Sequence, residues 1–240
     1  MEKQNKLILA FPRSGTKLLA NIYKKQGYHN FGEFFNTYST VIIDASPPYA
    51  SRMPINHQRK IINAKSKRGK QLDHWSHMLD ANHRLAKFNK FKDIGPNILT
   101  TFIWSFAQLP ETFELLNDRE VLCLRRANTF DQILSRIITK KYLNHDGEHK
   151  SKPIKVDLEF LEYTFYNLLK LERLQDYCVS TGRGRYIDFD KLVAGKEDLG
   201  FPYIVDTTDQ HANLEELVLN LTEVKEKFQE LQVTYNVSWN

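Results

Sequence analysis

Leu7-Ile8-Leu9-Ala10-Phe11-Pro12-Arg13-Ser14-Gly15-Thr16-Lys17-Leu18-Leu19 is an apolar run that stops at a tight polar loop and passes at once into an amphipathic segment. The pattern predicts strand, loop and helix in succession. At such a junction unpaired backbone N–H groups and the positive end of a helix dipole converge, which makes a site for phosphate or a similar anion. The common nucleotide loop reads G-x-x-x-x-G-K-[ST], with Lys on the β/γ-phosphates and the hydroxyl on Mg²⁺. Here Ala10 takes the first Gly position and Gly15 is followed by Thr16-Lys17, so Lys and hydroxyl are exchanged. A Lys in the hydroxyl position does not ligate Mg²⁺, and the loop suits a phosphate anhydride handled without metal better than ATP hydrolysis.

Outward from this loop, strand and helix signals alternate. Lys17 to Gln26 predicts a helix ended by Gly27 in a left-handed C-cap. Val41-Ile42-Ile43-Asp44 predicts a strand stopped by Ser46-Pro47-Pro48, and Phe88 to Ile94 another, ending at Gly95-Pro96. Leu99 to Leu116, interrupted by Pro110, reads as one or two helices. Glu120 to Leu124 predicts a strand and Phe130 to Tyr142 a helix. After a polar loop from Asn144 to Lys155, Leu158, Leu161, Phe165, Leu168 and Leu169 recur at helical spacing to about Tyr177. Arg185 to Phe189 predicts the last strand, and Leu214, Leu217, Leu221, Val224 and Phe228 one amphipathic helix. The order predicts an α/β protein, three-layered, with a mainly parallel central sheet. It reads as a single domain over residues 1–240, with a lobe inserted at 46–84 over the mouth of the sheet.

Length and composition bound the function. The chain has 240 residues, 41% of them hydrophobic, and a mean hydropathy of −0.50, enough to bury a core. No apolar run approaches a membrane span, and the first strand begins too early for a signal peptide, so a cytoplasmic setting is expected. Two cysteines, Cys123 and Cys178, make no disulfide framework and read as packing residues. The net charge of +5 favours anionic ligands. Arg59, Lys60, Lys65, Lys67, Arg68 and Lys70 form a basic run without an acid, either a solvated face or a landing surface for an acidic acceptor or polyanion. His74, His77 and His83 lack the Cys or acid partners of a convincing ligand set, so no metal site is expected.

A second junction of the same kind is Leu122-Cys123-Leu124-Arg125-Arg126-Ala127-Asn128-Thr129-Phe130-Asp131-Gln132-Ile133-Leu134-Ser135. A strand again runs into a helix through a basic turn. Arg125 or Arg126, with Ser135 on the helix, is suited to hold a phosphate between a guanidinium fork and a hydroxyl. A third stretch, Gly27-Tyr28-His29-Asn30-Phe31-Gly32-Glu33-Phe34-Phe35, sets a carboxylate among aromatic residues, where its pKa can rise towards the range of a general base.

The string Pro12-Arg13-Ser14-Gly15-Thr16 resembles the 5′-phosphosulfate loop of sulfotransferases that use 3′-phosphoadenosine 5′-phosphosulfate. The spacing of Arg125, Arg126, Gln132 and Ser135, and the Gly27 to Phe35 stretch, resemble bacterial sulfotransferases that modify trehalose glycolipids. Arg185 to Leu192 resembles a late strand and turn of the same family. The resemblance implies a P-loop, sulfotransferase-like fold. It implies that Arg13, Ser14, Gly15, Thr16 and Lys17 bind the 5′-phosphate side of the donor, and that Arg125 or Arg126 with Ser135 clamps its 3′-phosphate. Glu33 becomes the general base, and Arg13 also the group that neutralises charge on the leaving phosphate. The partner expected is a hydroxyl-bearing acceptor, a carbohydrate or small metabolite that can be anionic, rather than nucleic acid.

Two other readings arise from the same residues. One is a P-loop phosphotransferase acting on a nucleoside triphosphate, against which the Thr16-Lys17 order speaks. The other is a non-catalytic protein that binds nucleotides or polyanions through the Arg59 to Lys70 run.

Overall fold

The computed structural model describes residues 5–30, 98–103, 119–142, 153–205 and 214–239. The expected strands at Val41 to Asp44 and Phe88 to Ile94, the inserted lobe and its basic run, the three histidines and Glu33 all lie outside the described residues.

Among the described residues five parallel strands form a sheet: β1 (Lys6–Ala10), β2 (His29–Asn30), β3 (Ile98–Ile103), β4 (Glu120–Arg125) and β5 (Gly184–Asp188), in the order β2-β3-β1-β4-β5. β1 is central, with Lys6 to Ala10 opposite Leu99 to Ile103 on one side and opposite Glu120 to Leu124 on the other. The α-helices among the described residues are α1 (Thr16–Lys25), α2 (Thr129–Tyr142), α3 (Leu158–Ser180), the short α4 (Phe189–Val193) and α5 (Leu221–Tyr235). The α/β class with a parallel sheet therefore stands.

Because alternate residues of a strand face opposite sides, each of the buried strands β1 and β4 feeds two cores. Leu7, Leu9, Val121 and Cys123 join α2, α3 and α5 through Ile133, Leu161, Phe165, Leu168, Val224 and Phe228. Ile8, Ala10, Leu122 and Leu124 join α1 and α4 through Leu19, Ile22, Tyr23 and Leu192. This explains why β1 and β4 read as unbroken apolar runs. Cys123 and Cys178 are both buried and free within the first core.

Three expectations are corrected. Leu99 to Leu116 does not begin as a helix: Ile98 to Ile103 is a strand, since Thr100 and Thr101 are β-branched and pairing with β1 outweighs an ambiguous local pattern. The last strand stops at Asp188 rather than Phe189, because the Asp188 carboxylate accepts from Asp190 N and Lys191 N and so starts α4. The C-terminal helix is split into a 3₁₀ turn (Leu214–Leu217) and α5. Asn220 lies at the break, its side-chain amide bonding both N and O of Val156 at 2.8 and 3.1 Å.

Gly27 ends α1 as expected, at φ 85°. Tyr28 N bonds Tyr23 O and Gly27 N bonds Lys24 O, the paired bonds of a Schellman motif, and the rings of Tyr23 and Tyr28 close it edge to face at 5.2 Å. At the amino ends of the strands Glu120 bridges Lys6 and Arg185.

Candidate functional site

β1 and β4 are neighbours whose chains leave in opposite directions. Phe11 to Gly15 leads from β1 into α1 on one face, and Arg126 to Asn128 leads from β4 into α2 on the other. Open α/β sheets form a crevice outside the carboxyl ends of strands at such a reversal. Both basic turns read from the sequence border this crevice.

The first turn is shaped by its own backbone. Ser14 donates to Phe11 O from both N, at 3.3 Å, and Oγ, at 2.6 Å. Arg13 at φ 72° and Gly15 at φ 86° are left-handed on either side of Ser14, and Thr16 is helical. Alternation of this kind turns successive N–H groups to one side and makes a concave anion nest. Gly15 precedes α1 without a side-chain cap, so the first N–H groups of that helix receive no hydroxyl or carboxylate from it. Glycine is required there twice over: φ is positive, and a Cβ would lie 2.1 Å from Cε2 of Phe189.

Side chains then lock the turn to α2. Arg13 Nε donates to Ser135 Oγ at 3.2 Å, and the Gln132 amide donates to Ser14 Oγ. The Ser14 hydroxyl is fully buried, gives its proton to Phe11 O and accepts from Gln132, so it shapes the loop instead of facing the crevice. Thr16 is partly buried and Lys17 exposed at the start of α1.

Arg125 and Arg126, interchangeable in the sequence, have separate fates. Arg125 is the last residue of β4 and is in phase with Val121 and Cys123, which face α3. Arg125 turns to α3: Nε donates to Gln175 Oε1 at 2.8 Å, and Nη2 donates to Glu172 O at 3.0 Å and to Asp176 Oδ1 at 2.7 Å. Its guanidinium also lies 4.4 Å from the Tyr186 ring centroid. Arg126 turns to the first loop, with Nη1 donating to Arg13 O at 3.2 Å and the guanidinium 4.7 Å from the Phe189 ring centroid. Burial lowers the Arg126 pKa from its ordinary value, while Asp190 and Asp131 oppose that shift. An arginine stays cationic under these influences, so the crevice keeps its charge.

Three further residues hold the second turn, and the sequence reading gave them no role at the site. Asn128 and Asp131 bond reciprocally at the start of α2, Asp131 N to Asn128 Oδ1 at 2.9 Å and Asn128 Nδ2 to Asp131 Oδ2 at 2.8 Å. Asp190 of α4 accepts from Ala127 N at 3.1 Å. Gln175 was also missed, although it carries a signal: it falls on the core stripe of α3 with Leu168, Leu171 and Cys178, where an apolar residue is the rule.

The structure thus brings Arg13, Ser14, Gly15, Arg126 and Ser135 together, with Thr16 and Lys17 at the adjoining helix start, and turns Arg125 away. Among the described residues no group of three or more His, Cys, Asp or Glu is placed to hold a metal ion. Nor, among them, is any helix long and apolar enough to cross a membrane. No protein-family model matches the chain, and no curated protein matches it.

Proposed function

We propose that the chain is a sulfotransferase of P-loop type. It moves a sulfuryl group from 3′-phosphoadenosine 5′-phosphosulfate to a hydroxyl of a carbohydrate or small-molecule acceptor. The observation that carries this reading is the 3.2 Å contact between Arg13 Nε and Ser135 Oγ, 122 residues apart, which ties the first turn to the helix that follows the second and so makes one cationic crevice of the two. A lone phosphate loop calls for a single phosphate, whereas two such turns with Arg13 and Arg126 between them suit a nucleotide phosphorylated at two positions.

The donor set fits that nucleotide. Backbone N–H groups of Gly15 to Lys17 and the Thr16 hydroxyl hold the 5′-phosphate. Arg126 and Ser135 hold the 3′-phosphate, which separates this donor from ATP. Arg13, between the two, neutralises the charge that develops on the 5′-phosphate as its bond to sulfur breaks. Glu33 takes the acceptor's proton as the acceptor oxygen bonds to sulfur.

Calorimetry with 3′-phosphoadenosine 5′-phosphate, set against ATP with Mg²⁺, tests the reading. Tighter binding of the bisphosphate without metal is expected. Preference for ATP with Mg²⁺ would make the chain a phosphotransferase. Binding of neither, with salt-sensitive capture of a polyanion that ignores Arg13→Ala, would make it a non-catalytic binding protein. Either result overturns the proposal.

A further inference from the structure

Gln175 is 1% exposed, and its side-chain amide joins three parts of the fold. Nε2 donates to Leu9 O at 2.8 Å and to Leu124 O at 3.3 Å, and Oε1 accepts from Arg125 Nε at 2.8 Å. Leu9 and Leu124 lie in the last two rungs of the parallel β1–β4 ladder, Leu9 opposite Cys123 and Leu124 opposite Ala10, just before the two turns begin. One planar group with two donors therefore ties the last rungs of both strands to α3, at the point from which the two turns depart. The same amide's oxygen holds Arg125 on the α3 side, with Asp176 and the Glu172 carbonyl.

We infer that Gln175 is a positioning residue for a ligand carrying two phosphates. It fixes the span between the Arg13 loop and the Arg126 turn, and it keeps Arg125 out of the crevice. A ligand held at one turn is indifferent to that span; a ligand held at both is not. The inference rests on the proposed donor, and the measurements below separate the failure of one from the failure of the other.

Gln175→Met keeps the length of the side chain and removes all three bonds. The affinities of wild type and variant for 3′-phosphoadenosine 5′-phosphate and for adenosine 5′-phosphate are compared by calorimetry. The variant is expected to lose about tenfold for the bisphosphate, the order of effect that a small misplacement of binding groups has, and less than about twofold for the monophosphate. A residue with a merely structural role weakens both ligands alike, and that outcome overturns the inference. If Gln175→Met does not fold, Gln175→Glu, which keeps the acceptor for Arg125, is judged by the same pair of affinities. If the wild type itself does not prefer the bisphosphate, the donor assignment falls and the brace is judged without ligand. Amide exchange at Ser14, Leu19 and Ala127 is then expected to quicken about tenfold in Gln175→Met. Unchanged exchange there overturns the inference.

Discussion

The guanidinium of Arg126 lies over the ring of Phe189, 4.7 Å from its centroid, and the same ring closes the space beneath Gly15. One aromatic side chain, supplied by α4, thus supports both turns of the crevice. It orients the cation of the second and forbids a side chain in the first.

Gly15→Ala follows directly. Alanine at φ 86° is strained, and its Cβ collides with Phe189, so a loss of about 2–3 kcal/mol is expected. In a chain of this size that is a fall of roughly 5–10 °C in melting temperature. With Phe189→Ala already present the collision is gone and only the backbone strain remains, so the second loss is smaller by about 1 kcal/mol. Equal losses in the two backgrounds would show that the ring and the loop are not coupled.

The two adjacent arginines separate in the same way. Arg126→Met removes a cation from the crevice and is expected to weaken 3′-phosphoadenosine 5′-phosphate at least about tenfold. Arg125→Met breaks three bonds to α3 and is expected to cost about 1–2 kcal/mol of stability, with the smaller effect on binding. Calorimetry and thermal denaturation of both variants decide the matter, and reversed results would exchange the two roles.

Glu33→Gln tests the proposed base. Turnover is expected to fall about 100-fold or more while the affinity for the bisphosphate stays within twofold, since the carboxylate acts on the acceptor and not on the donor. Undiminished turnover with intact donor binding would remove Glu33 from the mechanism.

How much of this was legible in the sequence depends on where the decisive interaction lies. β1 and β4 are buried on both faces, so every residue from Leu7 to Ala10 and from Val121 to Leu124 carries the signal. β3 was misread because its strand character comes from pairing with β1, and the apolar residues after Leu99 imitate a helical period. Both basic turns were legible because strand, turn and helix are contiguous there. What could not be read was which of Arg125 and Arg126 faces the loop, since β4 is apolar on both faces and the partners that receive the two guanidinium groups, Gln175 and Phe189, lie 50 and 63 residues further on. A single glutamine on an apolar helix face announces an unusual core position and leaves its partners unnamed.

Among the described residues two carboxylates, Glu120 and Glu172, are shifted from their ordinary pKa in opposite directions. Burial disfavours ionisation of Glu120, yet Lys6 and Arg185 outweigh it and hold the carboxyl below its ordinary 4.5. Glu120 therefore stabilises the fold above that value and ceases to do so as pH falls through its depressed folded pKa. Burial raises Glu172 above 4.5, with Arg125 and the Trp239 N–H, 2.7 Å away, working in the opposite direction. Its contribution is complete below 4.5 and is lost as pH rises through the raised folded value. The two effects thus fall on opposite sides of 4.5. Glu172→Gln keeps an oxygen for Trp239 and removes the buried charge, so its melting temperature at pH 7 should equal or exceed that of the wild type, and the profile above pH 4.5 should flatten. Below 4.5 the Glu120 limb should persist in the variant unchanged. A variant that melts lower at pH 7 and retains the full slope above 4.5 would mean that the ionised Glu172 is stabilised by Arg125 more than it is penalised by burial.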